Sequence, residues 1–179
     1  MVSGGSPQSP PDGGVTGVAV TPLRIVSGGQ SGVDRAALDA ALTAGIECGG
    51  WCPRGRRAED GPIPCRYPLQ ESASRNYARR TRDNVRDSDG TLIIVRDEEQ
   101  LCEGTGLTAE TARRLGRPFL VIDLSASADP DDAAARVAGW VRAHGIGVLN
   151  VAGPRESRSP EIYASARMLV AAAIAILSR

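Results

Sequence analysis

The sequence predicts an α/β protein with a Rossmann-like, doubly wound, mostly parallel sheet and helices on both faces. Short apolar runs alternate along the chain with segments of helical periodicity, which is the pattern of consecutive strand–helix units. The runs are apolar almost throughout, as in strands that are covered on both faces. Right-handed crossovers between such units favour a strand order of about 3-2-1-4-5-6, with the first and fourth strands side by side.

Six strands are predicted, and the third is a short one around Tyr67 to Glu71 within a polar, arginine- and proline-rich stretch. The other five strands have the sequences LRIV, IECGGW, GTLIIV, PFLVIDL and VLNVAG. The five predicted helices are GVDRAALDAALTAG (closed by Gly45), SRNYARRTRDNVRDS, AETARRLG, DPDDAAARVAGWVRAHG and SPEIYASARMLVAAAIAILSR.

The domain organisation follows from length and composition. Residues 1–20 are rich in Gly, Pro and Ser and are predicted to be a disordered leader, whereas residues 21–179 form a single Rossmann-like ligand-binding domain. The N-terminus has no charged start followed by an apolar stretch, so we expect no secretory signal, a cytoplasmic location and reduced thiols. The apolar tail MLVAAAIAIL is too short to span a membrane.

Composition excludes several function classes. The formal net charge is zero and aromatic residues make up 3% of the chain, which argues against nucleic-acid binding. The four cysteines match no zinc spacing and there is one histidine, so no metal site is expected. All 21 basic residues are arginine, which excludes a phosphate-loop lysine or a Schiff base but offers two-pronged recognition of oxyanions.

The first candidate binding segment is SGGQSG, directly after the first strand. Glycine lets a backbone approach a ligand closely, and the amides at the start of the following helix favour a phosphate or another oxyanion. A sharp structural turn is the alternative interpretation. The candidate residues are Gly28, Gly29, Gln30, Ser31 and Gly32.

A second glycine- and hydroxyl-rich loop, EGTGLT, follows the fourth strand and contributes Gly104, Thr105 and Thr108. If the first and fourth strands are neighbours, the two loops flank one crevice, where ligands bind in such sheets. Arg155, after the last strand, and Arg80, on the second helix, are candidates for the rim of the same crevice. A solvated loop and surface ion pairs are the alternatives for these two arginines.

No standard catalytic set is present, and we predict no catalytic residue. The chain has neither a G-x-S-x-G elbow nor a histidine near the glycine loops. The groups available for proton transfer are Asp34, Glu59, Asp60, Glu71 and Glu110, and Asp34 suits the start of its helix better than acid–base work.

Several long blocks resemble a known family in their order along the chain, namely SGGQSGVDRAALDAAL, GGWCPRGRRAEDGPIP, YPLQES, YARRTRDNVRDSDGTLII, GTGLT and LNVAGPRES. They resemble the molybdenum cofactor carrier proteins and the wider group of molybdenum carriers, from about Leu23 to the C-terminus. The resemblance implies a fold related to the lysine-decarboxylase-like proteins, a homo-oligomer (dimer or tetramer), and a cofactor held by residues Gly29, Gln30, Ser31, Gly32, Gly104, Thr105 and Thr108.

The same relatives include cytokinin-activating phosphoribohydrolases, which carry a P-G-G-x-G-T-x-x-E block with a glutamate that takes part in cleavage. Aligned on Gly104-Thr105, this chain has Thr108 in place of that glutamate, so the same hydrolysis is not expected. The leading hypothesis is binding, storage and transfer of molybdenum cofactor, with molybdoenzymes as recipients. The alternative is a nucleotide-binding sensor or a nucleoside-monophosphate phosphoribohydrolase-like enzyme; a scaffold with a vestigial crevice is a third hypothesis.

Overall fold

The computed structural model describes residues 23–97, 105–126 and 130–179. In chain order, the elements among these residues are β1 (Arg24–Val26), α1 (Val33–Thr43), β2 (Cys48–Gly49), β3 (Trp51–Cys52), β4 (Arg57–Ala58), β5 (Gly61–Pro62), β6 (Gln70–Glu71), α2 (Tyr77–Arg86), β7 (Gly90–Val95), α3 (Gly106–Arg114), β8 (Phe119–Asp123), α4 (Pro130–Ala143), β9 (Val148–Ala152) and α5 (Ile162–Leu177).

Five parallel strands form the central sheet, in the order β2-β1-β9-β7-β8. All six residues of β7 are buried, as the apolar run predicts for a strand covered on both faces. In the middle of the sheet, Asn150 of β9 pairs in register with Val26 of β1 and Thr91 of β7. The α/β, Rossmann-like fold class predicted from the sequence is confirmed.

The helices form two groups. Helices α1, α4 and α5 pack against one another, and α2 packs against α3. The right-handed connection from β1 to β2 runs one way along the sheet and that from β7 to β8 runs the other way, so α1 and α3 lie on opposite faces. Small buried residues of α1, among them Ala36, Ala37 and Ala40, allow its close packing in the core. Helices on both faces were predicted, and this is confirmed.

The strand order differs from the predicted one. β1 and β7, expected to be neighbours, are separated by β9, which pairs with both. Counted from β9 as the first strand, the sheet reads 3-2-1-4-5, which is the expected doubly wound order with a shifted starting point. The switch in crossover direction therefore lies between β9 and β7, and β1 flanks β9 on the other side.

The segment between β2 and α2 also departs from the prediction. The run IECGGW forms two short strands, β2 and β3, separated by Gly50 at φ 122°. The strand expected around Tyr67 to Glu71 is β6, which pairs with β3 in a small separate sheet and not with the central one. β4 and β5 form a hairpin with Glu59 and Asp60 in its turn, hereafter the clasp hairpin (residues 57–62).

The helices begin and end within about three residues of the ends of the predicted segments. α1 ends at Thr43, and Gly45 at φ 68° closes it as expected. α3 begins at Gly106, three residues before the predicted start. The predicted leader, residues 1–20, lies outside the described residues. Within the described ranges, no helix has both the length and the apolar character needed to cross a bilayer.

Candidate functional site

The loop between β1 and α1 (residues 27–32, hereafter the β1 loop) lies at the carboxyl edge of the sheet. Gly29 and Gly32 both have φ of 75°, a conformation that side chains other than glycine rarely adopt. Ser27 anchors the start of the loop to the neighbouring strand, because its Oγ donates to the carbonyl of Val151 at 2.6 Å.

The amides of the β1 loop fall into two sets. The amide of Gln30 donates to Asp34 Oδ2 at 3.2 Å, and that of Ser31 donates to Gln30 Oε1, also at 3.2 Å. Among the described residues, the amides of Gly28, Gly29 and Gly32 have no acceptor. The amides of these three buried glycines are therefore unpaired in the described part of the chain, whereas the amides of Gln30 and Ser31 are engaged within the protein.

Arg80 reaches from α2 to the start of this loop. Its Nη1 donates to Asp34 Oδ2 at 3.0 Å, and both side chains are largely buried. Burial raises the pKa of the Asp34 carboxyl, and the charge of Arg80 opposes that rise. The neighbouring Arg79 pairs instead with Asp83 on its own helix at 3.1 Å. Arg80 is thus the arginine of this helix that the fold brings to the β1 loop.

The loop after β9 (residues 153–161, hereafter the β9 loop) packs directly on the β1 loop. A Cβ on Gly32 would lie 2.5 Å from the carbonyl oxygen of Pro154, so only glycine permits this approach. The amide of Glu156 donates to Ser31 Oγ at 3.3 Å. The Arg155 guanidinium lies over the ring of Tyr77, 4.9 Å from its centroid. Arg155 therefore lies beside the β1 loop.

The clasp hairpin ties the two loops together, a role that sequence reasoning missed. The carboxylate of Glu59 accepts hydrogen bonds from the hydroxyls of Ser31 and Ser157, and its amide donates to Gln30 Oε1 at 2.9 Å. Burial raises the pKa of Glu59, but the bonds from Ser157 and Ser31 outweigh it and lower the pKa overall. The only available signal was two acids in a short hairpin turn, a pattern that is equally common in solvated turns.

The same hairpin is held to α1 by an ion pair. Arg35 donates to both carboxylate oxygens of Asp60, at 2.5 and 2.8 Å, and its Nε donates to the carbonyl of Gly29 at 3.1 Å. These bonds fix the far side of the β1 loop.

The residues expected from the loop after β7 lie elsewhere on this edge. Thr105 and Thr108 are buried at the start of α3. Gly104 lies outside the described residues. Because β9 separates β1 from β7, the two loops start about 10 Å apart, two strand spacings, and not at adjacent strands. The β9 loop takes the place next to the β1 loop that the sequence assigned to the β7 loop.

A cavity of about 750 Å³ opens beside the N-terminus of α1, where Ser31 and Gly32 of the β1 loop and Glu156 and Ser157 of the β9 loop line it. Inside it, the hydroxyls of Tyr67 and Tyr163 both donate to Asp39 Oδ2, at 3.0 and 2.7 Å, and burial raises the pKa of Tyr163 to about 12. Four carboxylates but only two cations line the cavity: Asp39, Glu59, Asp60 and Glu156 against Arg35 and Arg66. This surplus of negative charge does not suit an oxyanion on the cavity side of the β1 loop.

The cysteines do not form a site in the part of the chain that the structure describes. Cys48 and Cys52 are buried and free, and burial raises the pKa of both thiols. Cys65 is exposed. Within the described ranges, no group of three His, Cys, Asp or Glu side chains could hold a metal ion.

Comparison with known proteins gives two matches. Residues 25–174 match the family model described as "Circularly permutated YpsA SLOG family". The crystal structure of "Putative molybdenum carrier protein" from Syntrophus aciditrophicus SB is 44% identical, with a TM-score of 0.81, and the match covers 86% of this chain and 96% of that chain. No functionally curated protein matches. The shifted starting point of the sheet, with β9 in the position of a first strand, agrees with a permuted chain order.

Proposed function

The chain belongs to the circularly permutated YpsA SLOG family, and from this premise we propose that it is a binding protein for an anionic small molecule. The site lies at the carboxyl edge where β1 and β9 end, and the ligand is the molybdenum cofactor or a related phosphorylated pterin. The protein stores this ligand and transfers it to molybdoenzymes. The relative from S. aciditrophicus supports the proposal, because it carries the name of a molybdenum carrier.

The distribution of unpartnered polar atoms carries this proposal. Four buried side-chain atoms lack a hydrogen-bond partner among the described residues: Gln30 Nε2, Arg80 Nε, Ser159 Oγ and Arg24 Nε. The first three belong to the β1 loop, to α2 above it and to the β9 loop. A buried donor without an acceptor is costly, so three of them on segments that contact one another indicate that an acceptor is supplied from outside. Phosphate and oxo groups are such acceptors.

The donors that would hold the ligand are those that have no acceptor among the described residues. They are the amides of Gly28, Gly29 and Gly32, with Gln30 Nε2 and the Arg80 guanidinium beside them. Ser31 contributes by positioning, since its hydroxyl is bound to Glu59. Arg155 stands at the rim, and Thr105 and Thr108 at the start of α3 would approach from the far side of β9. These donors fit the phosphate end of a pterin cofactor, with the Asp34 carboxylate beside them paired to Arg80.

A nucleotide is the alternative ligand, because it presents the same phosphate chemistry. Two of the carboxylates available for hydrolysis are directed elsewhere, which favours binding over cleavage. Glu71 accepts a hydrogen bond from the amide of Gly55 at 2.6 Å, and Glu110 is exposed on α3, 4.0 Å from Arg114. A nucleotide-binding sensor is therefore preferred to a phosphoribohydrolase within this alternative.

Native mass spectrometry of protein purified from a molybdenum-replete host tests the proposal. We expect a bound mass equal to the molybdenum cofactor or a phosphorylated pterin, on a dimer or tetramer of a cytoplasmic protein. A bound nucleotide mass would favour the alternative. The proposal fails if only the ligand-free mass is seen and molybdate, tungstate and neopterin phosphate leave the melting temperature unchanged.

A pair of variants locates the site. Asp34→Asn with Arg80→Gln removes both charges of the buried pair, so no lone buried charge remains. This double variant should bind neopterin phosphate at least tenfold more weakly than wild type, which is the effect of one charge-assisted hydrogen bond to an anion. Arg82→Gln is the matched control, because Arg82 is exposed on the same helix. Equal affinity of the two proteins would place the ligand elsewhere.

A further inference from the structure

We propose that Tyr77 and Arg155 form a subsite for a planar heteroaromatic ring, next to the anion-binding β1 loop. The ligand class is then a fused-ring heterocycle that carries its phosphate on a short linker. This inference rests on the proposed function, because it takes the anion site as given and asks what lies beside it.

The two side chains come from different elements, and the positive charge of Arg155 also acts on the carboxylate of Glu59. Tyr77 is the first residue of α2, whereas Arg155 belongs to the β9 loop. Both are half-buried, and the guanidinium carbon of Arg155 lies 4.9 Å from the centroid of the Tyr77 ring. In the described part of the chain, neither the Arg155 guanidinium nor the Tyr77 hydroxyl makes a hydrogen bond. A cation–π contact between half-exposed groups is weak, so a ligand ring can replace it.

The position of this pair relative to the β1 loop is fixed at both ends. Arg80 lies three residues after Tyr77, on the same side of α2, and its guanidinium touches Gly28 at the start of the loop. At the other end of the loop, a Cβ on Gly32 would lie 2.9 Å from the carbonyl carbon of Arg155. The Tyr77–Arg155 pair therefore lies beside the donors that would hold an anion.

A tyrosine face paired with a guanidinium plane favours a ligand that has a planar aromatic ring. An aromatic heterocycle stacks on the tyrosine in place of the guanidinium, and Arg155 moves outward to stack on the opposite face of the same ring. Side chains three residues apart on a helix have Cβ atoms about 5–6 Å apart, so ring and phosphate must be joined by a short linker. A bare oxyanion has no aromatic face that could stack on Tyr77. Pterins and purines share the required chemistry, and the test separates them.

The test compares ring-bearing and ring-free phosphates by calorimetric titration. The probes are neopterin phosphate, guanosine 5′-monophosphate and ribose 5-phosphate. We expect at least one ring-bearing probe to bind about tenfold more tightly than ribose 5-phosphate, because one stacked base usually contributes this much. Which of the two binds more tightly identifies the ring.

Variants assign that preference to the two residues. Tyr77→Ala should abolish the preference for the ring while leaving the affinity for ribose 5-phosphate unchanged, and Tyr77→Phe should retain it. Arg155→Ala, a change in a surface loop, should reduce the preference about threefold even if Tyr77→Ala folds poorly. Arg82→Gln should behave as wild type.

Three results would overturn the inference, and they differ in whether the anion site is lost with it. If ribose 5-phosphate binds through Arg80 but the ring adds nothing, or if Tyr77→Ala weakens all three probes equally, the ring subsite is wrong and the anion site stands. If none of the three probes binds, the proposed function fails and the subsite fails with it.

Discussion

The guanidinium of Arg80 lies against Gly28 so closely that a Cβ at position 28 would sit 1.7 Å from Nη1 of Arg80 and 2.8 Å from Oδ2 of Asp34. The absence of a side chain at this one position lets an arginine from α2 meet a carboxylate from α1 above the end of β1. The ion pair and the glycine loop are therefore one structural unit.

Gly28→Ala should displace Arg80 from this position. We expect a loss of about 1–3 kcal/mol in the free energy of unfolding, as for overpacking elsewhere, and about tenfold weaker binding of neopterin phosphate. Gly139→Ala on α4 is the matched control, since a Cβ there meets nothing within 4 Å and alanine favours a helix. Urea unfolding and calorimetric titration measure both effects. Wild-type stability and affinity in Gly28→Ala would contradict this account.

Arg80→Gln should be destabilising in a pH-dependent way. Burial already raises the pKa of Asp34 above its ordinary value of 3.8, and loss of the arginine raises it further. The folded protein then binds a proton more tightly than the unfolded chain, so its stability falls as the pH rises above that value. We expect a deficit of about 3–5 kcal/mol at neutral pH that shrinks in acid, and most of it should be recovered by adding Asp34→Asn. A deficit independent of pH would argue against an unpaired carboxylate.

Gly32→Ala should destabilise the fold more than Gly45→Ala, because Gly32, at φ 75° and ψ −130°, has a stricter backbone requirement and is also crowded. Both glycines have positive φ, 75° and 68°, but a Cβ at Gly45 meets nothing, whereas one at Gly32 would press on the backbone of the β9 loop. We expect Gly45→Ala to cost about 1–2 kcal/mol, the cost of the left-handed conformation alone, and Gly32→Ala to cost clearly more. Chemical denaturation measures both, and equal costs would mean that the two loops are not in firm contact.

Strand identity could be predicted from the sequence, but strand order could not. The run GTLIIV is apolar at nearly every position, and it became the fully buried β7. Nothing in the periodicity of VLNVAG says whether that strand lies at an edge or between β1 and β7, because both placements allow a right-handed crossover. The available clue was Asn150, a polar residue within an apolar run. In the structure its Nδ2 donates to Thr91 Oγ1 at 3.3 Å across the two central strands.

Only part of the candidate site could likewise be predicted from the sequence. Local chemistry, glycines before a helix, marked the β1 loop from the sequence alone, and Arg80 could be placed on a helix face by its spacing. The partners that fix these residues come from distant segments. Glu59 lies 28 residues from Ser31 and 98 from Ser157, and pairing over such separations leaves no periodic pattern in a single sequence.

Glu59→Gln should weaken the junction of the two loops at neutral pH only. The folded-state pKa of Glu59 lies below its ordinary value of 4.5, so the charged form stabilises the fold above that value and the benefit is lost as the pH falls through the lowered pKa. At pH 7 the variant should melt roughly 2–4 °C below wild type, the effect of about one net hydrogen bond. In acid the two melting curves should converge. Glu110→Gln, on an exposed helix face, should track wild type at every pH, and a constant gap for Glu59→Gln would show that its carboxylate charge plays no part in holding the loops together.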